Sequence, residues 1–159
     1  MEIPSQFKDA MKRTFYKTTI NMFDLKTSLD DFGATIGDRL FFVKTDKCNA
    51  QQANADLIMK EFGKALDADV RVTMPLEGNE AIGIKHYIIL SGNRFDGITQ
   101  FQVTGFLNRD SHKVILAKQL DRVLDFDVVT LGMLVMNTKT NKLVFNTTSN
   151  RLVKTIGGM

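Results

Sequence analysis

In NAQQANADLIMKEFGKALDADVRVTM, residues 49–74, a helical period gives way to a strand period. Asn49 reads as an N-cap, and Gln52 three residues later completes a capping box. Ala55, Ile58 and Phe62, with Leu57 and Met59 beside them, make a broad apolar stripe. Gly63 suits the left-handed position just past a helix end. The spacing predicts a helix over about 50–62. DADVRVTM (67–74) then alternates, with Val70, Val72 and Met74 on one face and Asp69, Arg71 and Thr73 on the other. That is the signature of a half-buried strand.

Strand signals extend to both sides. Upstream, FYKTTINMF (15–23) is rich in aromatic and β-branched residues. DLKTSLDDFGATIGD (24–38) is polar, holds Gly33 and Gly37, and reads as a hairpin loop or long β-connection. In DRLFFVKTD (38–46), Leu40 and Phe42 share one face and Phe41 and Val43 the other, so this strand is buried on both sides or meets a partner. Before all of these, Ile3, Phe7 and Met11 sit four apart on one face of a short helix, which needs a docking surface on its own domain or on a neighbouring subunit. Downstream, PLEGNEAIGI (75–84) reads as a loop, IKHYIILSG (84–92) as a strand and NRFDGI (93–98) as a turn. TQFQVTGFL (99–107) and HKVILAK (112–118) are strands around a tight NRDS turn, and 125–137 and 142–148 pair around TKTN. Seven or so short strands against one good helix imply a mainly β chain of the α+β class. The expected architecture is a small antiparallel β-barrel or sandwich with a packed helix and a C-terminal β-hairpin extension. The barrel and its N-terminal helix take residues 1–118, and a β-rich extension takes 119–159.

Composition narrows the function classes. The chain has 159 residues, 43% hydrophobic and 25% charged, enough to fill one core. One Cys excludes a disulfide framework and any multi-Cys zinc site, and two His leave little for a metal cage. No apolar run reaches the roughly 20 residues of a membrane span. MEIPSQFKDAMKR lacks an apolar stretch after its charges, so no signal peptide is expected, and a reducing cytoplasm is the expected site of synthesis. From residue 111 onward seven Lys and Arg face three Asp, which leaves 14 against 15 in residues 1–110. The small net charge of +3 is therefore a neutral barrel joined to a basic tail. Lys139, Lys142, Arg151 and Lys154 are either ordinary solvated surface or an edge facing a polyanion.

Enzyme motifs are sparse. P-loop, HExxH, CxxC and GxSxG patterns are absent. Asp110, Ser111 and His112 are sequence neighbours, and neighbours on a strand point to opposite faces, so they do not build a triad. His86 reads as structural. Cys48, just ahead of the expected helix, has no His or second Cys near it in sequence. No catalytic, metal or cofactor residue is assigned, and no small-molecule substrate or membrane partner is expected.

The order of the pieces carries more than any motif. IPSQFKDAMKRTFYKTTINMFD (3–24), the polar DDFGATIGD, the helix NAQQANADLIMKEFGKAL, DADVRVTM and TQFQVTGFLNRDSHKVILAK follow one another over residues 1–118. This series resembles the head-closure, or stopper, proteins of long-tailed bacteriophages. The resemblance rests on the step Glu61-Phe62-Gly63 ahead of an aspartate-containing strand and on the Asp110-Ser111-His112 turn. It implies a structural virion protein of the phage neck, assembled in the host cytoplasm and lying between capsid and tail. Such a protein forms a cyclic ring of about six or twelve copies. It meets portal or adaptor proteins above, tail proteins below and packaged double-stranded DNA in its channel. Its expected interface residues are Ile3, Phe7, Met11, Phe41 and Val43. The candidate gate is the loop with Pro75, Glu77, Gly78 and Gly83, ahead of the tip 137–142. Lys139, Lys142, Arg151 and Lys154 are the candidate DNA-facing residues, and the hairpin 125–148 is a candidate for adding a strand to a neighbour. The alternatives are another neck or tail component, such as an adaptor or tail terminator, and a small β-barrel that binds nucleic acid.

Overall fold

A computed structural model describes residues 4–127, 134–137 and 142–145. The chain is mainly β. Helix α1 (Ser5–Phe15) leads into β1 (Thr18–Leu29) and β2 (Thr35–Gln52), then α2 (Ala55–Phe62). Strands β3 (Val70–Pro75), β4 (His86–Gly92), β5 (Phe95–Asn108) and β6 (His112–Gln119) follow, then the short β7 (Asp125–Phe126), β8 (Leu134–Asn137) and β9 (Lys142–Phe145).

The first six strands pair antiparallel in the order β1-β4-β5-β6-β3-β2, and β2 pairs back onto β1. The sheet therefore closes on itself. It is not a plain barrel, because β1 and β2 run past β4 and β3 as a two-stranded arm, and β7 joins β2 in parallel at Arg39 and Leu40. β8 and β9 form a separate antiparallel pair, with β9 alongside β5.

Two apolar clusters use opposite faces of the same strands. Ile20, Met22, Cys48, Ala50, Val72, Met74, Ile88, Leu90, Phe101, Val103 and Ile115 fill the closed sheet. Phe23, Leu40 and Ile89 point the other way and are covered by Leu25, Phe42, Tyr87, Leu124 and Phe126. A bulge makes this division. Met22 pairs with Lys44 and Phe23 with Phe42, so Val43 is an extra residue in β2. One added residue reverses the side on which every later side chain falls. Leu40 and Phe42 thus face the second cluster, whereas Cys48 and Ala50 face the first.

Several elements differ from the sequence expectation. The helix starts later than residue 50: Asn54 is the N-cap, and its side chain accepts hydrogen bonds from the amides of Asp56 and Leu57. Asn49 to Gln52 instead pair with β3, a long-range ladder that outweighs a local capping box. Gly63 does take the left-handed position, with φ of 71°. Of the apolar stripe, Ile58 is buried and Phe62 half-buried, whereas Ala55, Leu57 and Met59 are exposed. Residues 24–38 are mostly strand. The turn is confined to 30–34, where Asp30 Oδ1 accepts from the amides of Phe32 and Ala34. The 93–98 turn shrinks to Asn93-Arg94, both with positive φ, and β5 begins at Phe95. Residues 125–137 do not form one strand, since β7 joins the main sheet and β8 pairs with β9.

Candidate functional site

The sequence-predicted surfaces separate in space. On α1, Phe7 is 65% exposed, and Ile3 and the side chain of Met11 lie outside the described residues. Val43, the bulge residue, is 47% exposed. Phe41 is half-buried, with Lys26 Nζ standing 5.4 Å from its ring centroid. Of the basic tail, Lys139, Arg151 and Lys154 lie outside the described residues, and Lys142 is described only as the first residue of β9. The tip 137–142 likewise falls mostly outside them.

A cleft of about 720 Å³ opens between the end of α1, β2 and the start of the loop after β3. Arg13, Lys17 and Lys47 bring positive charge to it, Asp46 and Glu77 negative charge, and Tyr16 and Pro75 ring surface. Burial pushes the Tyr16 hydroxyl above its usual range. Asp46 Oδ2 accepts from Asn79 Nδ2 at 3.0 Å and lies 3.9 Å from Lys44 Nζ. Lys47 Nζ donates to Thr19 Oγ1 at 2.7 Å. Among the described residues, Arg13 and Lys17 form no ion pair. Sequence reading missed this cleft because its walls come from three distant segments.

At the far end of β1 the arm ends in Leu29-Asp30-Asp31-Phe32-Gly33. Phe32 is 94% exposed and Leu29 58%. Gly33 has φ of 82°, a conformation the five-residue turn requires and a Cβ would strain.

The candidate gating loop is tied down along its length. Lys44 Nζ donates to the Gly78 carbonyl at 2.8 Å. Asn79 is buried and donates to Asp46 and to the Pro75 carbonyl. Ile82 joins the main core, the Gly83 amide donates to His86 Nδ1 at 3.0 Å, and Lys113 Nζ donates to the Glu80 carbonyl at 3.2 Å. Hinge movement at Gly78 or Gly83 would have to break these bonds. Lys113 is itself fully buried, 4.4 Å from the Phe106 ring centroid. Burial holds its ammonium below the usual lysine range.

Cys48 sits in β2 within the main core, where burial, reinforced by Asp46, pushes its thiol up to about 12. A thiol so placed is inert. Ser111 Oγ, in the β5–β6 turn, lies 3.4 Å from Nδ1 of its neighbour His112 at the start of β6. Among the described residues no three His, Cys, Asp or Glu side chains are grouped to hold a metal ion.

No protein-family model matches this chain, and no curated protein matches it. The chain is similar in structure to protein SF1141 from Shigella flexneri 2a, with a TM-score of 0.55 at 14% identity. The match covers 69% of this chain and 96% of that one, and it is a likeness of fold.

Proposed function

We propose that this chain is a ring-forming structural protein of a long-tailed phage neck, of the head-closure type. In this reading it seals the DNA channel below the portal and adaptor and offers the tail a docking surface. The observation that supports it best is the β1–β2 arm. A two-stranded ribbon with exposed apolar groups at its end is only marginally stable by itself, and an adjacent subunit is the natural support. The exposed Phe7 of α1 supplies a second surface of the same kind. The loop 76–85, fixed at several points, then serves as a static cap on the closed sheet rather than a swinging gate. The test is electron microscopy and sedimentation velocity of the pure full chain. Closed rings of about six or twelve copies are expected. A chain that stays monomeric at high concentration and binds single-stranded DNA with a steep salt dependence overturns the proposal in favour of a nucleic-acid-binding barrel.

A further inference from the structure

The arm tip and the α1 cleft lie at opposite ends of one strand. Lys17, in the cleft wall, immediately precedes Thr18 at the start of β1, and Leu29 at its end immediately precedes the tip. Eleven steps at about 3.3 Å each separate them by ~35 Å, so a chain cannot seat its own tip in its own cleft.

Their chemistry matches nonetheless. The tip presents one large aromatic ring, Phe32, next to the carboxylates of Asp30 and Asp31. Asp30 Oδ1 is used to close the turn, and among the described residues Asp31 makes no ion pair. The cleft presents ring surface from Tyr16 and Pro75 and two cations, Arg13 and Lys17, that are likewise unpaired among the described residues. Two acids also line it: Asp46, already engaged by Asn79 and Lys44, and Glu77, so the three cations Arg13, Lys17 and Lys47 leave it a net positive charge. The cleft volume of about 720 Å³ easily admits one phenyl ring.

We propose that the cleft of each copy receives the arm tip of a second copy, with Phe32 against Tyr16 and Pro75 and Asp31 facing Arg13 and Lys17. This rests on the ring reading and specifies its contact. Each chain then donates one tip and accepts another. Such a head-to-tail contact is heterologous, and it closes into a ring where the rotation between copies allows. A phenyl ring buries only about 150–250 Å². The tip is therefore the specific anchor of a wider interface, since stable assemblies bury roughly 1,600 Å² in all.

Two full-length variants test this. Asp31→Lys reverses the tip, and the double variant Arg13→Glu/Lys17→Glu reverses the cleft. All three positions are exposed, so each variant is expected to melt like the parent chain. Each alone is expected to weaken assembly by about tenfold or more in sedimentation velocity, because like charges then face each other. An equimolar mixture of the two is expected to assemble again, since each tip suits the other variant's cleft. Phe32→Ala is expected to weaken assembly without changing any charge. Full assembly of the Asp31→Lys or Phe32→Ala chain, or failure of the mixture to recover, overturns the tip-in-cleft contact while leaving the ring reading intact. A parent chain that never assembles overturns both.

Discussion

Arg71 of β3 holds Glu61 of α2 in a two-pronged ion pair, Nε to Oε2 at 2.9 Å and Nη2 to Oε1 at 2.8 Å. Both side chains are mostly shielded, 16% and 14% exposed, and Arg71 also donates to Thr73 Oγ1 at 3.1 Å. The pair fastens the helix to the closed sheet beside the buried Ile58.

This pair makes stability fall in acid. The hydrogen bond from Arg71 holds the Glu61 carboxyl below its ordinary value of 4.5, against the opposing cost of burial. In the unfolded chain Glu61 takes up its proton first as pH falls. Its contribution is therefore complete above that ordinary value and is lost as pH drops through the lower folded one. Glu61→Gln is expected to cost about 1–3 kcal/mol at neutral pH. It is also expected to flatten the acid limb of a melting-temperature profile. An unchanged acid limb refutes the assignment.

Lys113 has the opposite sign. Its buried ammonium rests on the Glu80 carbonyl and the face of Phe106, and its folded value is depressed by burial. At neutral pH the folded state carries a desolvated charge that the unfolded state keeps in water. That penalty is relieved as pH rises through the depressed folded value toward the ordinary 10.5. Lys113→Met keeps the stem and removes the charge. It is expected to raise stability by about 1 kcal/mol at neutral pH and to abolish the rise on the alkaline side. Phe106→Ala, with the charge retained, is expected to lower stability by about 1–2 kcal/mol. Thermal melts across the two pH regimes separate the cases, and a destabilised Lys113→Met chain contradicts this account.

Asn79 tests whether the loop after β3 is a cap or a hinge. Its Nδ2 donates to the Pro75 carbonyl at 2.7 Å and to Asp46 at 3.0 Å, so its loss strips two acceptors at once. Asn79→Ala is expected to cost about 1–3 kcal/mol. Hydrogen exchange in residues 76–85 should accelerate far more than in β4 or β6. If the loop already exchanges freely in the parent chain, the tethers do not hold it.

What the sequence made legible follows the reach of each interaction. The alternation Val70, Val72, Met74 is local, and β3 buries those three. Gly63 is a local signal, and it takes the left-handed turn. Asn49 has the side chain of a cap, but pairing with β3, about twenty residues away, holds it in β2, and the helix is capped at Asn54. Polar residues 26–28 hid the arm because a ribbon exposed to solvent has no core-facing alternation to display. The extra residue at Val43 is invisible until the β1 register is known. The cleft was hidden for the same reason, since Arg13, Lys47 and Glu77 meet only through the folded sheet.

Residues 120–127, which follow β6, are bonded to the closed sheet. Gln100 accepts from the Leu124 amide at 2.7 Å and donates to its carbonyl at 2.9 Å. The Asp127 amide donates to the Leu40 carbonyl at 2.9 Å, and the Phe126 ring lies 5.3 Å from Phe23. Residues 120–127 thus cover the second cluster, and a cut after residue 118 would uncover Phe23, Leu40 and Ile89. A chain ending at residue 127 is expected to melt well above one ending at residue 118, and only the shorter should bind a hydrophobic dye strongly. In the full chain, Phe126→Ala is expected to cost about 1–3 kcal/mol, below the 3–5 typical of a fully buried Phe because this ring is half-buried. Equal melting of the two truncated chains would mean that the second cluster does not depend on its cover. The aromatic contact between Phe23 and Phe126 would then be incidental to the fold.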